Sequence, residues 1–210
     1  MNFQLRVPLN TSPEQHARLC ELRAVFARVC NELAPQVQQS RVWNRVALHH
    51  LHYRALREKF PELGSQMVCN AIYAVSKMAR LIYQHPASPY NLTRRNGQAL
   101  PLLRFAESCP VYFDRHTMSI KPGQLSLYTM DGRMRFELAL DAEKLALFDK
   151  ARLREVVLNE RPDHAFELSF YLESLDTPTQ PDAEVTDEPL LSQEAVVAPI
   201  PEYVSVEDAS

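Results

Sequence analysis

The sequence predicts an α+β protein in which an antiparallel β-barrel, or strongly curved sheet, carries a three-helix insert after its first strand. Three observations lead to this. Residues 110–139 read as a β-meander, with runs at 111–113, 118–121, 125–128 and 134–138 separated by turn chemistry at 114–117, Pro122-Gly123 and Asp131-Gly132. Asp-Gly supplies the positive φ that a tight hairpin demands. Between residues 12 and 85 the apolar residues recur at helical spacing. All four glycines, Gly64, Gly97, Gly123 and Gly132, fall at breaks between these segments, so local signals of different kinds agree.

Taken in order, Phe3, Leu5 and Val7 alternate with Gln4 and Arg6 as a short strand closed by Pro8. It has no neighbouring hairpin partner, so it is expected to join the later strands across the helices. Ser12, Pro13 and Gln15 make a capping box with proline at the first helical position. Leu19, Leu22, Val25, Phe26, Val29, Cys30 and Leu33 then form one apolar stripe, and the helix is expected to end near Pro35. A second helix spans about 40–60, with Trp43, Val46, Ala47, Leu51 and Leu56 as its apolar set. A third is capped by Ser65 and buries Val68, Ala71, Ile72, Val75, Ala79 and Ile82. Residues 87–99 read as a linker loop and 101–105 as a strand feeding the meander. Residues 141–153 read as a helix capped by Asp141, and 155–158 and 165–172 as the last strands. The expected domains are 1–10 with 100–172 as the barrel, 11–86 as the helical insert, 87–99 as the linker and 173–210 as a disordered acidic tail.

The formal charge of −3 averages two unlike parts. Residues 173–210 hold ten Asp and Glu and no Lys or Arg, which leaves 23 basic against 16 acidic residues in 1–172, a net of +7. The tail also has five prolines and no glycine, too little apolar surface to offset chain entropy. A basic body points to phosphate-bearing partners. Cys20, Cys30, Cys69 and Cys109 show no C-x-x-C spacing and read as free thiols of a reducing, cytoplasmic compartment. No apolar run approaches a membrane span, so no membrane partner is expected.

Candidate binding residues lie in four places. In the third helix Gln66, Asn70, Tyr73, Lys77 and Arg80 share a stripe whose amides can pair with base edges and whose cations can meet phosphate. The same stripe is what a solvated helix face looks like. In the second helix Arg41, Arg45, His49 and His52 share a stripe with Arg54 and Arg57 nearby, a phosphate-contacting pattern, while Tyr53 offers a ring for base stacking and Trp43 reads as core. His49 and His52 are spaced to chelate together, but no Cys or Asp completes a set, so no metal or other cofactor is expected. Arg94 and Arg95 lie in the loop. Arg104, Lys121, Arg133 and Arg135 alternate with aromatic residues on the strands, the composition of a single-strand-binding sheet. No phosphate loop, G-x-S-x-G or H-E-x-x-H motif is present, and Asp114, Asp131 and Asp141 sit where turns and caps explain them. The chain reads as non-enzymatic, with no catalytic residues.

The order of these parts resembles the N-terminal region of transposon-encoded TnpB/OrfB-like proteins and the compact type V CRISPR effectors related to them. The likeness rests on the opening strand with Pro13-Glu14-Gln15, on Leu63-Gly64-Ser65-Gln66 with Asn70-Ala71-Ile72, on the meander from Val111 to Arg133, and on the strand pair at 154–172. The resemblance implies a wedge barrel, similar to an OB barrel, with a recognition insert that holds guide RNA and reads a short DNA motif. By position, Gln66, Asn70 and Tyr73 would face that motif, and Lys121, Arg133 and Arg135 would face RNA or duplex backbone. The RuvC carboxylates and C-x-x-C element of full-length relatives are missing from these 210 residues. The expectation is a nuclease-less RNA- or DNA-binding module, with a separately encoded nuclease as a possible partner. The alternative is a protein-interaction or regulatory subunit whose acidic tail docks or mimics nucleic acid.

Overall fold

The computed structural model describes residues 2–138, 140–174 and 200–208. Among the described residues it is an α+β fold of antiparallel sheets and four α-helices. Two compact units are formed, each from two stretches of chain. The first comprises 2–22 with 110–174, and the second 23–109 with 200–208.

The first unit holds a four-stranded sheet. Strand β1 (Asn2–Pro8) pairs antiparallel with β8 (Phe166–Ser174), β8 with β7 (Ala151–Glu160), and β7 with β3 (Val111–Phe113). Leu5 faces Phe170 and Val7 faces Leu168, so the alternation in β1 does find its partner far along the chain. Arg154 is the bulged residue of β7, and its guanidinium bonds Glu173 at 2.7 Å. A separate three-stranded meander consists of β4 (Met118–Lys121), β5 (Gln124–Thr129) and β6 (Gly132–Glu137). Its two turns use Gly123 and Gly132, at φ +72° and +93°, where a residue with a Cβ would be strained. Helix α4 (Ala142–Lys150) starts on Asp141, whose carboxylate accepts from the Lys144 amide. The Lys144 side chain and amide hold that carboxyl below its ordinary range. The first turns of α1 (Pro13–Ser40) belong to this unit and begin on the predicted capping box. Ser12 N donates to Gln15 Oε1 at 3.0 Å, and Gln15 N donates to Ser12 Oγ at 3.2 Å.

The second unit contains the rest of α1, α2 (Arg45–Lys59), α3 (Ser65–Ala79), and a two-stranded sheet of β2 (Leu102–Phe105) and β9 (Val204–Glu207). The stripes foreseen for α1 and α3 are all buried, from Leu19 to Leu33 and from Val68 to Ile82. A single π turn at Arg80–Gln84 continues α3.

Several expectations are corrected. The sheets are open, with orders β1-β8-β7-β3, β4-β5-β6 and β2-β9, and no closed barrel forms among the described residues. Strand β3 pairs β7 rather than β4, because the turn at 114–117 reverses the chain through side-chain bonds without pairing its flanks. There the Asp114 carboxylate accepts from the His116 and Thr117 amides. Strand β2 belongs to the second unit. Helix α1 runs through Pro35 to Ser40. Proline forfeits one backbone bond there at a cost of about 3 kcal/mol, offset by burial of Leu33, Ala34 and Val37. Two side chains also anchor this stretch. Asn31 exchanges hydrogen bonds with the Phe105 backbone, each 2.8 Å, and Gln38 donates to the Leu100 carbonyl at 2.7 Å.

The second helix starts on Asn44, whose side chain accepts from the Val46 and Ala47 amides. It buries Leu48 and Leu56, and leaves Val46 and Leu51 63% and 61% exposed, against expectation. The third helix is preceded by Gly64 as N-cap, without a side-chain cap from Ser65. The acidic tail was expected to be disordered from 173 to 210. Residues 175–199 and 209–210 lie outside the described residues, but Val204–Glu207 form β9. The physical reason is a short alternating stretch within the tail. Val204 is buried and Val206 half-buried, with Ser205 and Glu207 exposed between and after them, and β2 offers a complementary edge.

Candidate nucleic-acid interface

The α2/α3 hairpin brings several predicted residues together. Its helices run antiparallel, since Arg45 at the start of α2 meets Tyr73 late in α3, and Ser76 Oγ donates to the Trp43 carbonyl at 2.6 Å. The Arg45 guanidinium lies 5.3 Å from the centre of the Tyr73 ring, and Lys77 Nζ lies 5.9 Å from the same centre. Such contacts are worth about 0.5–1 kcal/mol at exposed sites. One helical turn along α2, His49 stacks on Tyr53 with centroids 4.6 Å apart and planes inclined by 20°. Arg45, His49 and Tyr53 follow at steps of four, so one face of α2 carries a guanidinium, an imidazole and a phenol. All five side chains are half-buried, held in place yet within reach of solvent.

The other helical candidates are distributed differently. Gln66 and Arg80 are half-buried, but Asn70 is 5% exposed, and its amide donates to the Met67 sulfur at 3.9 Å. The stripe therefore does not present Asn70 at the surface, where a base could reach it. Arg80 lies in the π turn, where the helical step changes. Arg41 is outside α2 altogether. With φ 55° it closes α1 in the left-handed region, and its amide donates to the Val37 carbonyl at 3.0 Å.

The possible chelating pair also separates. The His49 ring is stacked on Tyr53, whereas His52 has its Nε2 buried with no hydrogen-bond partner in the structure. Burial pushes the His52 pKa below its ordinary 6.5. Among the described residues no three His, Cys, Asp or Glu gather as metal ligands.

In the first unit the meander forms a second cationic surface. Register places Ser119, Ser126 and Arg135 in one row, Lys121, Gln124 and Glu137 in another, and Tyr128 opposite Arg133. The alternate residues Met118, Leu125, Leu127, Met134 and Phe136 are buried. Lys121, Arg133 and Arg135 are exposed. Arg133 donates to the His116 carbonyl at 2.9 Å, and the Arg135 carbonyl accepts from Gln15 Nε2 at 2.9 Å. Tyr128, opposite Arg133, belongs with these cations and is the one meander aromatic on this face.

Two of the remaining basic candidates, Arg95 and Arg104, carry acidic partners that sequence reasoning missed. Arg104 Nε lies 3.2 Å from Glu207 Oε2, and Arg95 Nη1 lies 3.0 Å from Asp208 Oδ1. Arg95 also lies 6.0 Å from the centre of the Tyr90 ring. Arg94 is exposed. The usable signal was the Val-Ser-Val-Glu alternation at 204–207, overshadowed by the composition of the tail around it. A further polar group missed by sequence reading is Tyr171 on β8, whose hydroxyl accepts from Gln4 Nε2 at 3.2 Å. Burial raises the Tyr171 pKa, Glu155 adds to the rise and Arg6 opposes it.

None of the four cysteines is in a disulfide. Cys30 is fully enclosed, and burial, with a contribution from neighbouring Cys109, keeps its thiol protonated well above the ordinary range, which makes it a poor nucleophile. No helix among the described residues is long and apolar enough to cross a membrane. Compared with known proteins, the chain matches no family model and no curated protein.

Proposed function

We propose that this chain is a nucleic-acid-binding module that acts without catalysis of its own. The observation that carries the reading is the set of cations and rings on the α2/α3 hairpin: Arg45 and Lys77 over Tyr73, beside the His49–Tyr53 stack. Planar rings flanked by cations offer a base a stacking partner and a phosphate a counter-charge in one place. The exposed cations Lys121, Arg133 and Arg135, on one face of the meander, supply a second surface suited to backbone contact. In the finer form of the proposal the module belongs to a TnpB/OrfB-like system. It would hold a guide-like RNA or a short duplex DNA motif and work beside a separately encoded nuclease. Motif order alone supports that placement.

The test is fluorescence anisotropy of the full chain, purified free of nucleic acid, against labelled single-stranded RNA and a DNA duplex at low salt. The Arg45→Ala/Lys77→Ala variant should retain the melting temperature within a few degrees and weaken binding by about tenfold or more. Unchanged binding would remove the hairpin from the interface. The exposure of Val46 and Leu51 on α2 favours a second reading, a protein-docking surface. That reading is preferred if the parent chain binds neither probe.

A further inference from the structure

We infer that the C-terminal strand β9 is a built-in competitor of nucleic acid, its two terminal carboxylates occupying arginines that would otherwise take phosphates. The inference rests on the nucleic-acid reading above and concerns the regulation of the same module. Within the second unit, β9 pairs antiparallel with β2 in the register Leu102↔Glu207 to Phe105↔Val204. Val204 is 4% exposed and Leu103 and Phe105 are buried, so one face of the ribbon is anchored. One backbone contact extends the anchor: Ala106 N donates to the Tyr203 carbonyl at 2.9 Å.

The opposite face carries the charge. Arg104, Ser205 and Glu207 share it, and Glu207 sits diagonally across from Arg104 with Nε and Oε2 3.2 Å apart. Asp208 then reaches Arg95 at 3.0 Å. Arg95 has only 15% of its side chain exposed with Asp208 in place, whereas the Asp208 side chain is 65% exposed. The carboxylate is thus the outer group and the guanidinium the inner one.

A carboxylate on a guanidinium presents the same planar pair of acceptor oxygens that a phosphate does. The Arg104–Glu207 pair is exposed on both sides, and Asp208 approaches Arg95 from the solvent side, so a polyanion with many phosphates can displace both carboxylates. The strand itself is held separately, by ladder hydrogen bonds and by Val204. Charge and anchor are therefore separable: β9 can remain paired while its acidic end exchanges with phosphate. Glu202, Glu207 and Asp208 lie on one chain segment, and no Lys or Arg occurs from 173 to 210. The effective concentration of negative charge at Arg95 and Arg104 is consequently fixed by covalent connection.

The experiment measures the affinity of the full chain for a fluorescent oligouridylate across a salt series. The variant is Glu207→Gln/Asp208→Asn, which keeps shape and strand pairing and removes two charges. A control, Glu14→Gln/Glu143→Gln, makes the same change in net charge at exposed positions of the first unit. The β9 variant should bind about tenfold more tightly than the parent, with its log–log salt slope steeper by about 1.4, as expected for two additional phosphate contacts on a single strand. Adding Arg104→Gln should return about half of the gain in salt slope, one of the two contacts. The inference is overturned, with the binding reading intact, if the parent binds and the β9 variant matches it, or if the control gains as much. If parent and variant both fail to retain the probe at low salt, the binding reading fails and this inference falls with it.

Discussion

The helical hairpin of the second unit and the meander of the first unit both display cations, but they hold them differently. On the hairpin, Arg45 and Lys77 lie over the ring of Tyr73, and His49 lies on Tyr53. Each charge is positioned by an aromatic plane, at a small cost in side-chain freedom when a ligand binds. On the meander, Lys121 and Arg135 project from exposed pleat positions, and every second residue beneath them is core. Long cationic side chains set this way can follow a phosphate backbone without fixing any one base. The difference suggests a division of labour. The hairpin suits contact with bases, and the sheet suits contact with backbone charge.

Four perturbations separate the two surfaces, from the largest expected effect to the smallest. Phe136→Ala removes a 3%-exposed ring from beneath the cationic row of β6. It should cost about 3–5 kcal/mol in urea unfolding and reduce binding through loss of the platform. Tyr73→Ala, at a half-buried position of the hairpin, should cost far less stability but weaken single-strand binding by about 1–3 kcal/mol, the worth of a stacked base. Its salt slope should remain that of the parent, and a changed slope would count against stacking. Arg133→Ala/Arg135→Ala should do the reverse. Binding should weaken about equally for all sequences, and the salt slope should fall by roughly one per lost phosphate contact.

The smallest effect concerns pH. Burial holds the folded-state pKa of His52 below 6.5, so the unfolded chain binds a proton more readily. The neutral ring contributes its full stability above about pH 6.5. That stability declines as pH falls from there toward the folded-state value. Thermal melts should show a His52→Leu variant losing less stability on acidification than the parent. Equal losses would mean that other groups govern the acid limb.

Where a local signal decides the structure, the residues alone were sufficient. The capping box at Ser12 and Gln15, the Asp141 cap, and the turns at Gly123 and Gly132 all form as their chemistry requires. The buried stripes of α1 and α3 were also readable, since their periodicity extends over several turns. Choices that depend on a distant partner were not readable. Pro35 stays inside α1 because Asn31 and Gln38 find backbone partners about sixty to seventy residues away. Strand β3 takes β7 in place of its sequence neighbour. The α2 face was misassigned because its apolar residues are scattered: Leu48 is buried and Val46 exposed, and the spacing does not distinguish them.

The candidate site shows the same limit. Residue type and spacing placed Arg45, His49, Tyr53, Tyr73 and Lys77 on helix faces, but nothing in the spacing joined α2 to α3 over one ring. Arg95 and Arg104 were visible as cations, whereas their pairing with Asp208 and Glu207 needed the return of the chain at β9.

The most direct measurement is the salt dependence of binding by the full-length chain. Protein stripped of nucleic acid would be titrated into labelled single-stranded RNA at increasing salt, and log Kd plotted against log salt concentration. A nucleic-acid-binding module gives measurable binding at low salt and a linear plot with a slope of several units, about 0.7 for each phosphate contact on a single strand. A flat plot, or the absence of binding at the lowest salt, contradicts it.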